Sequence, residues 1–164
     1  LDFDARLWRR AKEEAEGDRD AGESGKLPLL AGTDNSSTQL EAAKENLSRL
    51  GVLREVRLVQ QDALAITPVS VGLEEPEGVT VISNLPYGER TEGDEEAIGE
   101  LYRRFGKRLK LSFPGAHAWL LTGNLPASRS FGLRSSSRTE LYNGPIECRL
   151  VELRLYRERT STGE

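Results

Sequence analysis

The chain has no methionine, one cysteine and one histidine among its 164 residues, and aromatic side chains make up only 6% of it. With Cys148 alone, an intrachain disulfide is excluded and a cysteine-based zinc site lacks its soft ligands, so a reducing compartment and a metal-free fold are expected. The single histidine, His117, falls in an apolar run with no serine or cysteine arranged around it for nucleophilic chemistry, and it reads as a core or strand-end residue. No apolar stretch is long enough to span a bilayer, and no basic segment leads into an apolar one as in a secretory signal. A cytoplasmic protein is the expectation. Leu1-Asp2-Phe3-Asp4 runs straight into a helical pattern with no initiator methionine, and the expectation is the middle of a longer protein.

What is present is the make-up of one ordinary soluble domain, with 37% hydrophobic and 30% charged residues over a length that buries a single core. The net charge of −4, from 23 basic and 27 acidic side chains, opposes a domain that grips nucleic acid by its overall field. Local basic patches are then the places to look. Arg103, Arg104, Lys107, Arg108 and Lys110 make one along a helix; Arg129, Arg134 and Arg138 make another around a polar loop at Ser135-Ser136-Ser137, and either also reads as a solvated face.

Periodicity orders the rest. Phe3, Leu7, Trp8, Ala11 and Ala15 recur at helical spacing behind an acidic first turn, and Trp8 and Trp119 read as core aromatics. Residues 16–26 turn to Gly, Asp, Glu, Ser and Lys without an apolar anchor, which predicts an exposed, mobile loop. Leu29 to Asp34 is a short apolar run ended by an acid. Thr38-Gln39-Leu40-Glu41 fits a capping box, and Leu40, Ala43, Leu47 and Leu50 line one helix face before Gly51 closes it. Val56 to Asp62 is again a strand ending in an acid, followed by a proline- and glycine-punctuated connection over 63–78. The β-branched run Val79-Thr80-Val81-Ile82-Ser83 predicts a buried parallel strand. Ile98, Leu101, Tyr102, Phe105 and Leu109 predict a helix with an acidic start, and Ala116 to Thr122 another buried strand. From Ser137 to Tyr156 the pattern alternates at period two around Asn143-Gly144-Pro145, a hairpin in which Cys148 reads as a buried small hydrophobe. The expected organisation is a helix and loop over 1–26, α/β units over 27–124, a loop and closing hairpin over 125–157, and a tail over 158–164.

Chemistry concentrates at the end of the Val79 strand. Asn84-Leu85-Pro86-Tyr87 opens a loop at a strand's carboxyl end, where open α/β sheets place ligands. An amine on a planar ring is methylated only if its lone pair is turned out of conjugation toward an electrophile. The Asn84 side-chain oxygen and the carbonyl of Leu85 or Pro86 are acceptors for its two hydrogens, and Tyr87 is a stacking partner for the ring. Asp34 ends its strand where such sheets put a carboxylate on ribose hydroxyls; Asp62 ends the next, where an acid can take an adenine amine. The plainer reading of each acid alone is a turn or helix cap.

An α/β sheet closed by an antiparallel hairpin resembles the class I S-adenosylmethionine-dependent methyltransferases. Ser83-Asn84-Leu85-Pro86-Tyr87-Gly88-Glu89-Arg90 is similar to the Asn-Pro-Pro-Tyr-Gly-Glu-Arg loop of the bacterial large-subunit ribosomal RNA guanine-N2 methyltransferases, the THUMP-containing RNA methylase group. The likeness runs along nearly the whole chain. Gly32-Thr33-Asp34 with Leu40-Glu41-Ala42-Ala43-Lys44-Glu45-Asn46 is similar to that family's ribose-binding turn and helix, Gln61-Asp62-Ala63 to its adenine-contacting acid, and Tyr142 to Cys148 to its closing hairpin. The Asn-Pro-Pro-Tyr core is shared with adenine-N6, cytosine-N4 and glutamine-N5 methyltransferases; the Gly-Glu-Arg extension and the hairpin narrow the choice. Leu85 stands where the family has its first proline, as in ribosomal RNA adenine dimethylases.

The resemblance implies S-adenosylmethionine as cofactor, held by Asp34, Asn35, Asp62, Ala63 and Asn84. It implies Asn84, Pro86 and Tyr87 as catalytic residues, Leu85, Tyr87 and Arg90 on the substrate side, and Glu89 bracing Arg90 or meeting phosphate. The implied partner is large-subunit (23S) ribosomal RNA, met through the full-length protein, with neither metal nor membrane involved. The implied reaction is transfer of the sulfonium methyl to the exocyclic N2 of a guanine taken out of its stack. An amino-group methyltransferase for adenine or protein glutamine and a catalytically silent piece are the alternatives. The glycine-rich first loop, the first strand and the RNA-capturing domain are expected before Leu1, since Gly22-Glu23-Ser24-Gly25-Lys26 has neither the spacing of a phosphate loop nor a strand before it. The chain on its own is therefore expected to bind cofactor poorly.

Overall fold

A computed structural model describes residues 3–22, 28–87 and 94–157. The chain divides into two units, 1–30 and 31–164. In the first, helix α1 (Ala5–Gly22) starts on Asp4, whose carboxylate accepts the Arg6 and Leu7 amides at 2.8 and 3.2 Å. The helix runs through residues 16–22, which the composition assigned to a loop. Glu, Asp, Arg and Ala are good or tolerable helix formers, and one interior glycine costs only about 1 kcal/mol. Trp8, expected in a core, is 59% exposed.

The second unit opens within β1 (Leu30–Asp34) and continues with α2 (Ser37–Arg49) and β2 (Val56–Gln60). The cap of α2 is Ser36, two residues ahead of the expected box, with its hydroxyl on the Gln39 amide at 3.4 Å. Gly51 ends the helix at φ 77°, a left-handed conformation that a side chain resists. Leu40 is buried under α2, but Leu50 lies past the last turn and is 74% exposed. Strands β1 and β2 form a two-stranded sheet of their own.

The larger sheet is β3-β4-β6-β5, made of β3 (Thr80–Asn84), β4 (His117–Thr122), β5 (Ser135–Asn143) and β6 (Ile146–Arg154). β3 and β4 are parallel, with Asn84 opposite Leu121; β6 is antiparallel to β4 and β5, so the hairpin's second strand inserts beside β4. Gly144 makes the hairpin's two-residue turn with φ 60°. β3 is an edge of this sheet rather than a buried strand, and Ile82 is 77% exposed. Ser135 to Ser137, expected as loop, belong to β5 at a bulge, with the Ser137 hydroxyl on Glu152 at 3.0 Å.

Helix α3 (Asp94–Ser112) covers the sheet. Tyr102, Phe105 and Leu109 recur at three- and four-residue spacing and bury one stripe against Ala118 and Leu120 of β4 and Val151 and Leu153 of β6. Each fully buried leucine or phenylalanine there contributes about 1.5–3 kcal/mol of transfer free energy. Gly106 lets the Phe131 loop approach the helix backbone, since a Cβ there would stand 2.1 Å from the Phe131 carbonyl oxygen. Among the described residues no helix is long and apolar enough to cross a membrane.

Candidate active site

The register of β3 on β4 positions the Asn84 loop. Beyond the last paired residue the Leu85 amide still bonds to the Leu121 carbonyl at 2.9 Å, while the Leu85 side chain is buried in the core. Leu85 was expected on the substrate side; its isobutyl group faces the interior, and only its backbone remains for a ligand. One residue on, the Pro86 carbonyl accepts a hydrogen bond from the Tyr102 hydroxyl at 3.0 Å. Pro86 itself is exposed. Of the two carbonyls offered by the sequence as acceptors for an amine, that of Pro86 is therefore already engaged. Among the described residues, the Leu85 carbonyl and the Asn84 amide have no hydrogen-bond partner.

Tyr87 is held from the other side. The Asn143 amide, in the last residue of β5, donates to its hydroxyl at 2.8 Å. Gly123, just after β4, leaves room for the ring, since a Cβ there would lie 3.0 Å from Tyr87 Cδ2 and 2.9 Å from Ile146 Cγ2. The hairpin is thus one wall of the loop's surroundings. Residues 88–93, including Glu89 and Arg90, lie outside the described residues.

Sequence reasoning passed over the support beneath the loop. Tyr102 is fully buried on α3, its ring stacked on Phe131 with centroids 5.0 Å apart and planes 2° from parallel. Its hydroxyl also meets the Thr122 hydroxyl at 2.6 Å, and Thr122 Oγ1 accepts the Asn124 amide at 3.0 Å. Burial pushes the Tyr102 phenol pKa above its ordinary value, opposed by the Thr122 bond and assisted by the nearby Tyr87 hydroxyl. A signal was available: a tyrosine on a buried helix stripe and a threonine in register with a strand's apolar face both carry hydroxyls that must find partners.

The two acids come together at the ends of β1 and β2. The Gln61 amide donates to the Asp34 carbonyl at 2.9 Å, and the Gln60 side chain to the Asn35 carbonyl at 3.1 Å. Each carboxylate also caps its own turn, Asp34 through the Ser36 amide at 2.7 Å and Asp62 through the Leu64 amide at 2.8 Å. Each cap engages only Oδ1 of its carboxylate, so the cap and ligand readings are compatible. Asp62, Asn35 and Ala63 are exposed and Asp34 is half-buried. Gln61 Oε1, beside Asp62, is a buried acceptor without a partner among the described residues.

The basic patches divide. Arg108 Nε donates to the Leu64 carbonyl at 2.6 Å, and Arg138 to the Ser128 hydroxyl and carbonyl at 3.0 and 3.2 Å, so both tie loops to the core. Arg103 pairs with Glu100 and, with Lys107 and Lys110, flanks a shallow groove floored by Phe131 and Leu133. His117 is half-exposed at the start of β4, with Nδ1 4.0 Å from Glu152.

An α/β sheet with its last strand inserted antiparallel, acids at the ends of two strands and an Asn-x-Pro-Tyr loop at the end of a third define a class I S-adenosylmethionine-dependent methyltransferase fold. The family model of the RMKL-like methyltransferase domain (UPF0020) matches residues 3–152, and the chain belongs to this family. It is 35% identical over 160 residues to the ribosomal RNA large subunit methyltransferase K/L of Methylococcus capsulatus, covering 97% of the chain and 20% of that protein. Among solved structures it is similar to SMU.472 in complex with SAH, with a TM-score of 0.69, 24% identity, and 94% of this chain and 38% of that chain covered. It is also similar to a predicted N6-adenine-specific DNA methylase of Listeria monocytogenes, with a TM-score of 0.65, 26% identity, and 92% of this chain and 36% of that chain covered. The chain spans about a fifth of the length of its Methylococcus relative.

Proposed function

We propose that the chain is catalytic machinery for methylating the exocyclic N2 of a guanine in large-subunit ribosomal RNA, with S-adenosylmethionine as donor. The reading rests on one arrangement. Leu85 is pinned at its amide and Pro86 at its carbonyl, which leaves the Leu85 carbonyl and the Asn84 amide oxygen as adjacent acceptors at a strand end, beside the Tyr87 ring. Two acceptors on an aromatic amine take its two hydrogens and favour a pyramidal nitrogen, whose lone pair is drawn out of conjugation with the ring toward the methyl donor. Tyr87 holds the flipped base by stacking. The amine becomes acidic as it is alkylated, and its proton passes to water through the same acceptors.

The set of acceptors suits the cofactor's nucleoside half. Asp34, Asp62, Asn35 and Ala63 lie on adjoining strand ends, each acid keeping an oxygen for ribose hydroxyls or an adenine amine, and Gln61 Oε1 is a further acceptor awaiting a donor. When bound, the cofactor supplies an electrophilic methyl; the protein's part is orientation. The choice of ribosomal RNA is supported by the 35% identity to the Methylococcus K/L enzyme and that of guanine by the Gly88-Glu89-Arg90 extension.

The test is transfer of tritiated methyl from S-adenosylmethionine to undermethylated ribosomal RNA by the protein as its host makes it, followed by nucleoside analysis. Label in N2-methylguanosine, lost on Asn84→Ala, is the expected result. Label in N6-methyladenosine would overturn the guanine assignment, and unchanged turnover of Asn84→Ala the amine-orienting role.

A further inference from the structure

We propose that Tyr102 is a positioning residue for methyl transfer, acting through a directed chain of hydrogen bonds from Asn124 and Thr122 to the Pro86 carbonyl. This inference rests on the reading of the Asn84 loop as an amine cradle. The direction of the chain follows from donor counting. A carbonyl only accepts, so the single proton of the Tyr102 hydroxyl goes to Pro86, 3.0 Å away. The Thr122 hydroxyl, 2.6 Å from the same oxygen, must then be the donor to Tyr102. Thr122 Oγ1 in turn accepts the Asn124 amide at 3.0 Å. Each member is polarised by the one before it, and the chain ends on the peptide that follows the cradle.

Its consequence is geometric. Proline fixes its own φ, the Leu85 amide is tied to Leu121 of β4, and the Pro86 carbonyl is tied to α3, so the Leu85–Pro86 peptide between them has little freedom left. That peptide carries the Leu85 carbonyl, the second acceptor for the amine. Tyr102 has no other polar duty. Its ring is locked by the Phe131 stack and by complete burial, so the hydroxyl cannot swing away, and burial keeps it protonated and a donor well into the alkaline range. The same hydroxyl takes up one lone pair of the Pro86 carbonyl, which leaves the Leu85 carbonyl as the acceptor without a partner among the described residues.

The experiment compares Tyr102→Phe, Thr122→Val, Thr122→Ser, their double combination Tyr102→Phe/Thr122→Val, and Asn84→Ala, all in the protein as its host makes it. Tyr102→Phe keeps the ring stack and removes one oxygen. A roughly tenfold fall in kcat is expected, with KM for RNA and Kd for S-adenosylmethionine within twofold of the parent, since the acceptor is displaced by tenths of an ångström while binding surfaces persist. Thr122→Val is expected to lower kcat in the same way, Thr122→Ser to restore it, and the double variant to be no slower than Tyr102→Phe. Unchanged kcat in Tyr102→Phe, with Asn84→Ala inactive, would overturn the role of Tyr102 alone. Loss in Tyr102→Phe carried by KM or by cofactor affinity, or strictly additive losses in the double variant, would also overturn it. Full activity of Asn84→Ala would overturn the amine-cradle reading and this role with it.

Discussion

Replacing Gly106 by alanine sets helix propensity against tertiary packing. Within a helix the exchange ordinarily stabilises by about 1 kcal/mol, because alanine loses less backbone entropy. In α3 the new Cβ would stand 2.1 Å from the Phe131 carbonyl oxygen, 2.9 Å from its carbonyl carbon and 3.1 Å from its Cα. An ordinary carbon-to-oxygen approach is about 3.3 Å, so loop and helix must part by roughly 1 Å. The obstacle is backbone rather than the end of a flexible side chain, which places the cost near the upper end of overpacking penalties, about 3 kcal/mol. The net loss is about 2 kcal/mol, or roughly 4–8 °C in Tm for a domain of this size. Because Phe131 stacks on Tyr102, the displacement should also reach the site. Thermal unfolding followed by far- and near-ultraviolet circular dichroism measures both effects. The control is Gly17→Ala in α1, where nothing lies within 4 Å; amide exchange should slow across that helix. A Tm for Gly106→Ala equal to or above that of the parent would refute the reasoning.

Asn143→Ala removes the donor to the Tyr87 hydroxyl at an exposed position, so stability should change by under about 1 kcal/mol while kcat/KM for RNA falls several-fold; unchanged kcat/KM would show that the hairpin does not brace the ring. Asp62→Asn keeps a cap for the Leu64 amide but loses the charge, so Tm should hold while Kd for S-adenosylmethionine by calorimetry rises several-fold; an unchanged Kd would leave Asp62 as a cap only. The folded-state pKa of Tyr102 lies above its unfolded value because burial disfavours the phenolate, so its contribution is present below about pH 10 and is lost as pH rises through the folded value. Denaturant midpoints measured from pH 8 to 11 should fall less steeply in Tyr102→Phe, and equal slopes would contradict the assignment. Cys148 is fully buried, so a thiol reagent should label it only as fast as the chain opens; immediate labelling in buffer would contradict its place in β6.

Elements whose pattern repeats were legible along the chain. The stripe of Tyr102, Phe105 and Leu109 foretold α3, and the alternation around Asn143-Gly144-Pro145 foretold β5, β6 and their turn. Asp34 and Asn84 end their strands as expected, whereas β2 stops at Gln60 and Asp62 caps the turn beyond it. Boundaries set by competition were not legible: the cap of α2 at Ser36 rather than Thr38, the helical course of residues 16–22, and Ser135 to Ser137 in a strand each depend on which of several partners the backbone takes. Exposure of Ile82 and Trp8 likewise depends on neighbours that a residue's own hydrophobicity does not specify.

The sequence by itself determined the repertoire of the site, the amide, carbonyls and ring of Asn84 to Tyr87 and the acids Asp34 and Asp62, because those are properties of residue type and of position at a strand's end. Only the tertiary structure decided which groups are free. Tyr102 is 16 residues from Pro86, and Asn143 is 56 residues from Tyr87, yet the first occupies the Pro86 carbonyl and the second the Tyr87 hydroxyl. Each lone pair or proton serves one partner in a definite direction, so a distant partner changes what a group has left for a ligand, and chain order alone does not record that partner. That is why the sequence offered the carbonyl of Leu85 or of Pro86 to an amine, and only the fold distinguishes the unpartnered Leu85 carbonyl from the one that Tyr102 already meets.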